Sequence, residues 1–189
     1  QTIIDKLNAG IGKPALTFSP SPDPTWLADI PVADQYEFDL DKANKILDDA
    51  GYADTNGDGV REMPGGGEPL NLKFAVRTDS QIAKPIAEFV KGWLEKIGIA
   101  VTFDLMNESK LTEVIGKGDY DLFHWSWTPF VDPDPMLWYF TCENVAQDPK
   151  SPTDYWNDAN WCDPEDDELY QQQKVELDPE KRREIVHAM

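Results

Sequence analysis

The sequence is short of the residue types on which most metal-dependent and nucleophilic catalysis relies. It has two histidines and two cysteines among 189 residues, with no CxxC pair and no HExxH motif. His124 and His187 are far apart in sequence, and neither completes a Ser/His/Asp order. A single histidine inside an aromatic strand is more often a hydrogen-bonded core or cleft residue than a general base. We therefore expect a protein that is not an enzyme.

Positive charge is also scarce, since 17 Lys and Arg residues face 36 Asp and Glu residues and give a formal net charge of −19. A chain this acidic is repelled by phosphate backbones and by anionic lipid surfaces, which excludes nucleic acid as a partner. No apolar run approaches the ~20 residues that a membrane-spanning helix needs. The composition predicts a globular domain without a membrane segment.

Both ends of the chain have the sequence of unfinished elements. Residues 1–7 are typical of the interior of an element, without an initiator methionine or a signal sequence. The helix predicted to start at Asp178 runs to Met189 without a capping residue. We expect both ends to be cuts within a longer protein.

Residues 1–38 are predicted to form an extended, proline-rich lead-in. Five prolines lie between residues 10 and 38, and they exclude a regular helix or a central strand.

Residues 39–127 form the predicted α/β core, because strand and helix periodicities alternate there. This order predicts a mixed, mostly parallel sheet with helices on its faces. The predicted strands cover residues 70–76, 99–105 and 122–127, and the helices cover 39–51, 82–97 and 111–115.

Residues 128–189 are predicted to form a cleft loop, a disulfide loop and terminal helices. Cys142 and Cys162 are an even pair in an acidic, loop-rich stretch, which suits a disulfide in an oxidising compartment. The residues alone leave open the alternative of two reduced thiols.

One polar turn has the spacing of a calcium-binding loop. Oxygen-bearing side chains stand at positions one, three and five, glycine at six and a backbone carbonyl at seven. Gly65 stands at position twelve, where a bidentate acid is expected, and Glu62 at position nine is a partial substitute. The alternative is an Asx-turn loop whose glycines permit positive φ. The candidate ligands of a structural Ca²⁺ are Asp54, Asn56, Asp58, Val60 and Glu62.

Six stretches in one order resemble the family 5 extracellular solute-binding proteins, the peptide/nickel/oligosaccharide class that serves ABC importers. The individual motifs are short, but their order and spacing together are specific. They are Phe38-Asp39-Leu40-Asp41-Lys42-Ala43 with Gly51-Tyr52, the 54–62 turn, Leu94 to Val101, Lys117 to Leu122, Asp163-Pro164 with Asp167 and Leu169, and Asp178 to Arg182.

This resemblance implies a two-lobed periplasmic-binding-protein fold of class II type, of which the chain would be most of the later lobe. It implies a substrate-binding component that binds a peptide or similar small solute and delivers it to ABC permease subunits. It also implies an extracytoplasmic location, in the periplasm or at the cell surface, with membrane attachment only through a lipid anchor outside this sequence. Such a location favours the disulfide.

The loop that follows the last predicted strand is the candidate ligand site. Ligands of doubly wound sheets bind beyond the carboxyl ends of the strands, and binding clefts combine aromatic walls with a few polar groups. Peptide-binding members of the family have an acidic residue shortly after a tryptophan in this loop, whereas no acid occurs here before residue 132. The alternative is that the tryptophans face the core. The predicted ligand residues are His124, Trp125, Trp127, Thr128, Phe130 and Asp132.

The sequence has features of two other functions. A carbohydrate-active enzyme domain needs two carboxylates facing one cleft, whereas the acids here are scattered over predicted surfaces. A Ca²⁺-dependent surface-binding module predicts several ion loops, and the sequence has one.

Overall fold

The computed structural model describes residues 1–17, 21–128, 130–145 and 156–189. Within these residues no helix is both long and apolar enough to cross a bilayer. Single 3-10 turns occur at Pro24–Trp26, Val32–Asp34 and Cys142–Asn144. The regular elements in chain order are α1 Thr2–Leu7, α2 Leu40–Asp49, β1 Asn71–Arg77, α3 Ala83–Glu95, β2 Ala100–Met106, α4 Glu108–Lys117, β3 Leu122–Phe123, α5 Asp134–Tyr139, α6 Pro164–Val175 and α7 Pro179–Ala188.

The chain divides into two compact units. The first, called here the sheet unit, consists of Gln1–Lys13, Tyr36–Val114 and Asp119–Trp125. The second, called the helical unit, consists of Pro14–Gln35, Ile115–Gly118 and Ser126–Met189.

The sheet unit contains a three-stranded parallel sheet in the order β2-β1-β3. The strand β1 pairs with β2 along its whole length, from Asn71 opposite Ala100 to Arg77 opposite Met106. Helix α3 makes the crossover between these strands, and its buried residues Ala83 and Ala87 pack in the same core as Phe74 and Val76. The predicted α/β fold with a largely parallel sheet is confirmed.

Helix α2 shows how local sequence fixes an element of this unit. The Asp39 side chain caps the helix by accepting a hydrogen bond from the Lys42 amide at 2.9 Å. Gly51 follows the helix with φ +86°, a conformation that other residues adopt only with strain.

The helical unit packs around buried Leu137, Tyr170 and Val186, one from each of the helices α5, α6 and α7. Partly buried Trp26 and Trp138 complete this core. Burial, together with the nearby Asp134 carboxylate, raises the pKa of Tyr170 to about 12. The phenol is therefore a neutral core residue.

The structure differs from the sequence-based expectation at two places. The lead-in over residues 1–38 is not extended throughout, because Thr2–Leu7 form the helix α1 and two single 3-10 turns follow. The last strand is shorter than the predicted 122–127, since β3 pairs with β1 only through Leu122 and Phe123. Beyond that point Arg77 of β1 meets Trp125 through its side chain, with the guanidinium 5.5 Å from the ring centroid.

Candidate ligand-binding surfaces

The three strands of the sheet unit end at one edge, because they are parallel. Arg77 is the last residue of β1, Met106 is the last of β2, and His124 and Trp125 follow β3 directly. This carboxyl edge is where ligands bind in open α/β sheets. The structure therefore places two of the predicted ligand residues, His124 and Trp125, at the expected edge.

Arg77 is the centre of a charged cluster at this edge. Its guanidinium donates to the Asp79 carboxylate at 3.0 Å and to the Glu108 carboxylate at 2.5 Å. The second oxygen of Asp79 accepts a hydrogen bond from the Glu108 amide at 3.1 Å. The hydrogen bond from Arg77 lowers the pKa of Asp79 below its ordinary value, and the bond from the Glu108 amide lowers it further. Arg77 is thus fixed in position, with its planar group over Trp125.

His124 is a neutral polar group beside this cluster. Burial lowers the pKa of His124 below its ordinary value, and the positive charge of Arg77 lowers the pKa further. A neutral imidazole offers one donor and one acceptor, so His124 suits hydrogen bonding to an uncharged polar group.

The other predicted ligand residues lie in the helical unit. Trp127 and Phe130 are 41% and 40% exposed, and Thr128 is exposed as well. The ring of Trp127 stacks on Tyr139, with centroids 4.8 Å apart and planes 29° apart. Trp156 lies against the same pair, at 5.6 Å from Tyr139. Trp127 is therefore an exposed aromatic residue and not a member of the core.

Asp132 is engaged by an arginine that the sequence analysis did not single out. Its two carboxylate oxygens each accept a hydrogen bond of 2.8 Å from the Arg182 guanidinium. Arg182 also lies over the Trp26 ring at 5.0 Å and donates to Gln173 Oε1 at 3.1 Å. The hydrogen bonds from Arg182 hold the pKa of Asp132 below its usual value. This ion pair fixes one side of the loop that carries Phe130.

The sequence did not predict four residues of these surfaces: Arg77, Tyr139, Trp156 and Arg182. Arg77 ends a strand that the periodicity did predict, so its place at the carboxyl edge could have been inferred. Tyr139 lies in the aromatic-rich stretch of residues 136–140, whose sequence alone does not show which rings are exposed. Nothing local signals the partnership of Arg182 with Asp132, because the two are 50 residues apart in sequence.

The 54–62 loop brings three predicted ligands together. Oxygen atoms of Asp54, Asp58 and Glu62 lie within 4.8 Å of one another, which is compatible with one cation. The same oxygens also serve the loop itself. Buried Glu62 accepts hydrogen bonds from the Thr55 amide, the Thr55 hydroxyl and the Asn56 side chain. Asp54 accepts from the amides of Gly57 and Gly59. The loop geometry fits both the cation and the Asx-turn interpretation.

The predicted disulfide is confirmed. Cys142 and Cys162 are bonded, with Cα atoms 4.7 Å apart. The Cys142 amide also donates to the Asp167 carboxylate at 2.9 Å, which connects the disulfide to the first turn of α6. The bond encloses residues 143–161, of which residues 146–155 lie outside the described residues.

Comparison with known proteins assigns the chain to a family. The family model described as bacterial extracellular solute-binding proteins, family 5 Middle, matches residues 1–148. The oligopeptide-binding protein AppA of Bacillus subtilis is 31% identical over 104 residues, which cover 52% of this chain and 18% of AppA. The chain thus matches about a fifth of the length of this curated relative.

Solved structures agree on the fold. AppA from Bacillus subtilis superposes with a TM-score of 0.78 and 24% identity, covering 99% of this chain and 35% of that chain. A periplasmic oligopeptide-binding protein from Thermotoga maritima gives a TM-score of 0.81 at 24% identity, with the same two coverages. The chain therefore belongs to the family 5 bacterial extracellular solute-binding proteins, whose members are binding proteins and not enzymes.

Proposed function

We propose that this chain is part of the substrate-binding component of an ABC importer. The whole component captures a peptide or similar small solute outside the membrane and delivers it to permease subunits. The observation that carries the proposal is the family match over residues 1–148, which includes the carboxyl edge of the sheet and the loop after β3.

The ligands of the related structures support a small polar solute. The Bacillus subtilis AppA structure contains a nonapeptide, and the Thermotoga maritima structure contains mannohexaose. Both ligands are chains of linked polar units. A surface with aromatic rings and a neutral imidazole has the chemistry to bind ligands of this kind.

The proposed ligand contacts fall into two groups. In the sheet unit, Trp125 offers a ring face that Arg77 holds in place, and His124 offers a hydrogen bond without a charge. In the helical unit, Trp127, Thr128 and Phe130 are exposed. Asp132 also belongs to the predicted ligand set. Its bidentate bond to Arg182 gives it a supporting role in our proposal, because a carboxylate already paired has little left for a ligand.

The mechanism we propose is closure of two lobes on the solute, with this chain supplying most of one lobe. Binding energy then favours the closed form, which the permease recognises. The enzyme alternative loses its support, because the family consists of non-enzymatic binding proteins. An extracytoplasmic location agrees with the family and with the disulfide.

The function can be tested with the longest natural polypeptide that contains this sequence. It is purified without denaturation, and the small molecules that it retains are released by acid and identified by mass spectrometry. We expect one class of solute in near-stoichiometric amount. Trp125→Ala should reduce the retained amount, whereas the control Trp161→Ala, which removes a 43% exposed ring that stands in neither group, should not. A polypeptide that retains no solute and binds none from peptide or oligosaccharide libraries contradicts the proposal.

A further inference from the structure

Three aromatic side chains of the helical unit form a continuous surface, called here the aromatic platform: Trp127, Tyr139 and Trp156. Ring centroids are 4.8 Å apart for Trp127 and Tyr139, 5.6 Å for Tyr139 and Trp156, and 6.2 Å for Trp127 and Trp156. Each distance lies in the range of direct aromatic contact. The residues are distant in sequence, so the fold brings them together.

The platform is exposed although its rings are among the most apolar groups of the chain. Trp127 is 41% and Trp156 is 44% exposed, and Tyr139 is partly buried beneath them. Single exposed aromatic residues are ordinary on protein surfaces. Exposed rings in mutual contact are less so, and such a patch marks a surface that another molecule covers.

The backbone beside Tyr139 and Trp156 is held by contacts within the helical unit. Tyr139 ends helix α5, whose Met136 and Leu137 are buried. Trp156 precedes the buried Asn157, whose amide donates to the Asn144 carbonyl at 3.1 Å. The disulfide closes the same segment. A ligand therefore has less of this backbone to order on binding, which raises the affinity that stacking can give.

The charged side chains that flank Tyr139 in sequence are already engaged. The Glu143 carboxylate accepts a hydrogen bond from the Trp138 indole at 2.7 Å. The Asp134 carboxylate accepts one from the buried Gln173 amide at 2.7 Å. Neither of these two carboxylates is therefore free to pair with a charged ligand group.

The ring geometry also distinguishes between ligand types. An organic cation is best held where several ring faces point at one position. Here Trp127 and Tyr139 are stacked face to face at 29°, so each ring already covers a face of the other. Trp156 is inclined by 33° to Tyr139 and by 56° to Trp127, and its ring adds a third face to this surface. Such a surface fits a flat neutral ring better than a point charge.

We infer that the aromatic platform is a stacking subsite for the pyranose rings of a neutral oligosaccharide. A pyranose has a C–H-rich face that packs on an aromatic ring, while its hydroxyl groups at the rim stay hydrated. It carries no charge that must be neutralised. The inference rests on the proposed function, because it names the solute class for the same binding component.

The test uses the longest natural polypeptide that contains this sequence, with its disulfide intact. Maltohexaose, cellopentaose and mannohexaose are titrated separately and followed by saturation-transfer NMR and calorimetry. Sorbitol is the control for hydroxyl groups without a ring. An N-acetylated, amidated Ala-Trp-Ala peptide and the tripeptide Lys-Trp-Lys represent neutral and cationic peptides. We expect at least one oligosaccharide to bind saturably, with transfer to its ring C–H protons, and sorbitol not to bind.

The variants locate the binding. Trp127→Ala and Trp156→Ala should each weaken oligosaccharide binding by about fivefold or more, the loss expected when a ring contact is removed. Trp127→Phe and Trp156→Phe keep an aromatic face and should retain most of the affinity. The matched control is Trp161→Ala, which removes a 43% exposed tryptophan from the same disulfide loop. It should leave binding unchanged.

Three results overturn the inference: no oligosaccharide binds, a peptide binds through Trp127 and Trp156 while the oligosaccharides do not, or Trp127→Ala and Trp156→Ala bind as tightly as Trp161→Ala. These failures are separable from failure of the proposed function. A natural polypeptide that retains a peptide supports an importer's binding component and refutes the sugar subsite. A polypeptide that retains nothing and binds nothing refutes both.

Discussion

The sheet unit and the helical unit are each stabilised internally by different kinds of interaction. The sheet unit depends on a repeating pattern, in which β1 and β2 pair over seven residues each and α3 covers them with a continuous apolar face. The helical unit has the core around Leu137, Tyr170 and Val186 and depends in addition on individual links between distant residues. They are the disulfide, the Asp132–Arg182 ion pair and the hydrogen bond from Ser21 to the Val131 carbonyl. The sheet unit should tolerate the loss of one paired residue, because its neighbours still pair. The helical unit should be more sensitive to the loss of one of its individual links.

This difference affects how each unit positions its proposed ligand residues. The sheet unit places His124 and Trp125 at the end of a strand, so their positions follow from the sheet. The helical unit places Trp127 and Phe130 on a loop that is held by such links and by the stacking of Trp127 on Tyr139. Single changes to those links should therefore affect the proposed ligand surface of the helical unit more than that of the sheet unit.

The largest effect is expected from removing the disulfide. The double variant Cys142→Ser/Cys162→Ser should lower the free energy of unfolding by roughly 3 kcal/mol in the chain-entropy model. Hydrogen exchange should rise in residues 134–145 and 156–175 and stay low in β1 and β2. Thiol titration of the unaltered protein, denatured but not reduced, should find no free thiol. Two titratable thiols per chain, or an equal rise of exchange in both units, would contradict this account.

A smaller effect is expected from Asp166, which is buried in the first turn of α6 with one carboxylate oxygen that lacks a hydrogen-bond partner among the described residues. Burial raises the pKa of Asp166 to about 6, and the charges of Asp167 and Asp163 raise it too. The folded state therefore holds this proton more tightly than the unfolded state. The stability that it contributes is full below about pH 4 and is lost as the pH rises through about 6.

Asp166→Asn should stabilise the protein at pH 7.5 by about 1–2 kcal/mol and have little effect at pH 4. Chemical unfolding at both pH values measures the difference. Asp163 offers the matched control, because its side chain caps α6 by accepting from the Glu165 amide. Asp163→Asn should therefore not reproduce the gain. Equal stability of Asp166→Asn and wild type at pH 7.5 would show that the burial of Asp166 has no energetic consequence.

The sequence predicted the sheet unit better than the helical unit, for a physical reason. Strand and helix periods repeat over many residues, so α2, β1, α3, β2 and α4 were all recognised. The disulfide was predicted because Cys142 and Cys162 are an even pair and because the family resemblance implies an extracytoplasmic location. Other contacts join residues that are far apart in sequence and meet only in the folded chain. They are the contacts of Trp127 with Tyr139 and Trp156, and of Asp132 with Arg182. No local pattern encodes them.

The Asp132–Arg182 pair is expected to contribute less than the disulfide and the Asp166 effect. A double-mutant cycle with Asp132→Asn and Arg182→Gln should give a coupling of about 1 kcal/mol, because the geometry is bidentate but the Asp132 side chain is half exposed. The control cycle uses Arg183 and Glu180, an exposed i,i+3 pair, and should give about 0–0.5 kcal/mol.

The pH dependence of the pair has the opposite sign to that of Asp166. The lowered pKa of Asp132 means that its contribution is present above its unfolded value and is lost as the pH falls through the lower folded value. If the coupling energy at neutral pH and low salt equals that of the control pair, the Asp132–Arg182 ion pair does not hold the loop in place.

The smallest effect concerns the 54–62 loop, where we propose a structural Ca²⁺. The hydrogen bonds within the loop already satisfy Glu62 and Asp54, so the ion should add only a few degrees to the melting temperature at about 1 mM Ca²⁺, near the affinity of extracellular modules. A chelator should reverse this gain, and Asp58→Ala should abolish the response. Identical melting curves with Ca²⁺ and with chelator leave the Asx-turn interpretation in place.

The most direct test of the central claim compares two lengths of chain against one solute. The solute retained by the longest natural polypeptide that contains this sequence is titrated by calorimetry into that polypeptide and into the 189-residue chain. A single lobe leaves one side of the solute in water. We therefore predict that the 189-residue chain binds the solute with a dissociation constant that is millimolar at best, which corresponds to a binding free energy near ~4 kcal/mol. The longer polypeptide should bind it far more tightly. Micromolar binding by the 189-residue chain alone would contradict its assignment as one lobe of a two-lobed receptor.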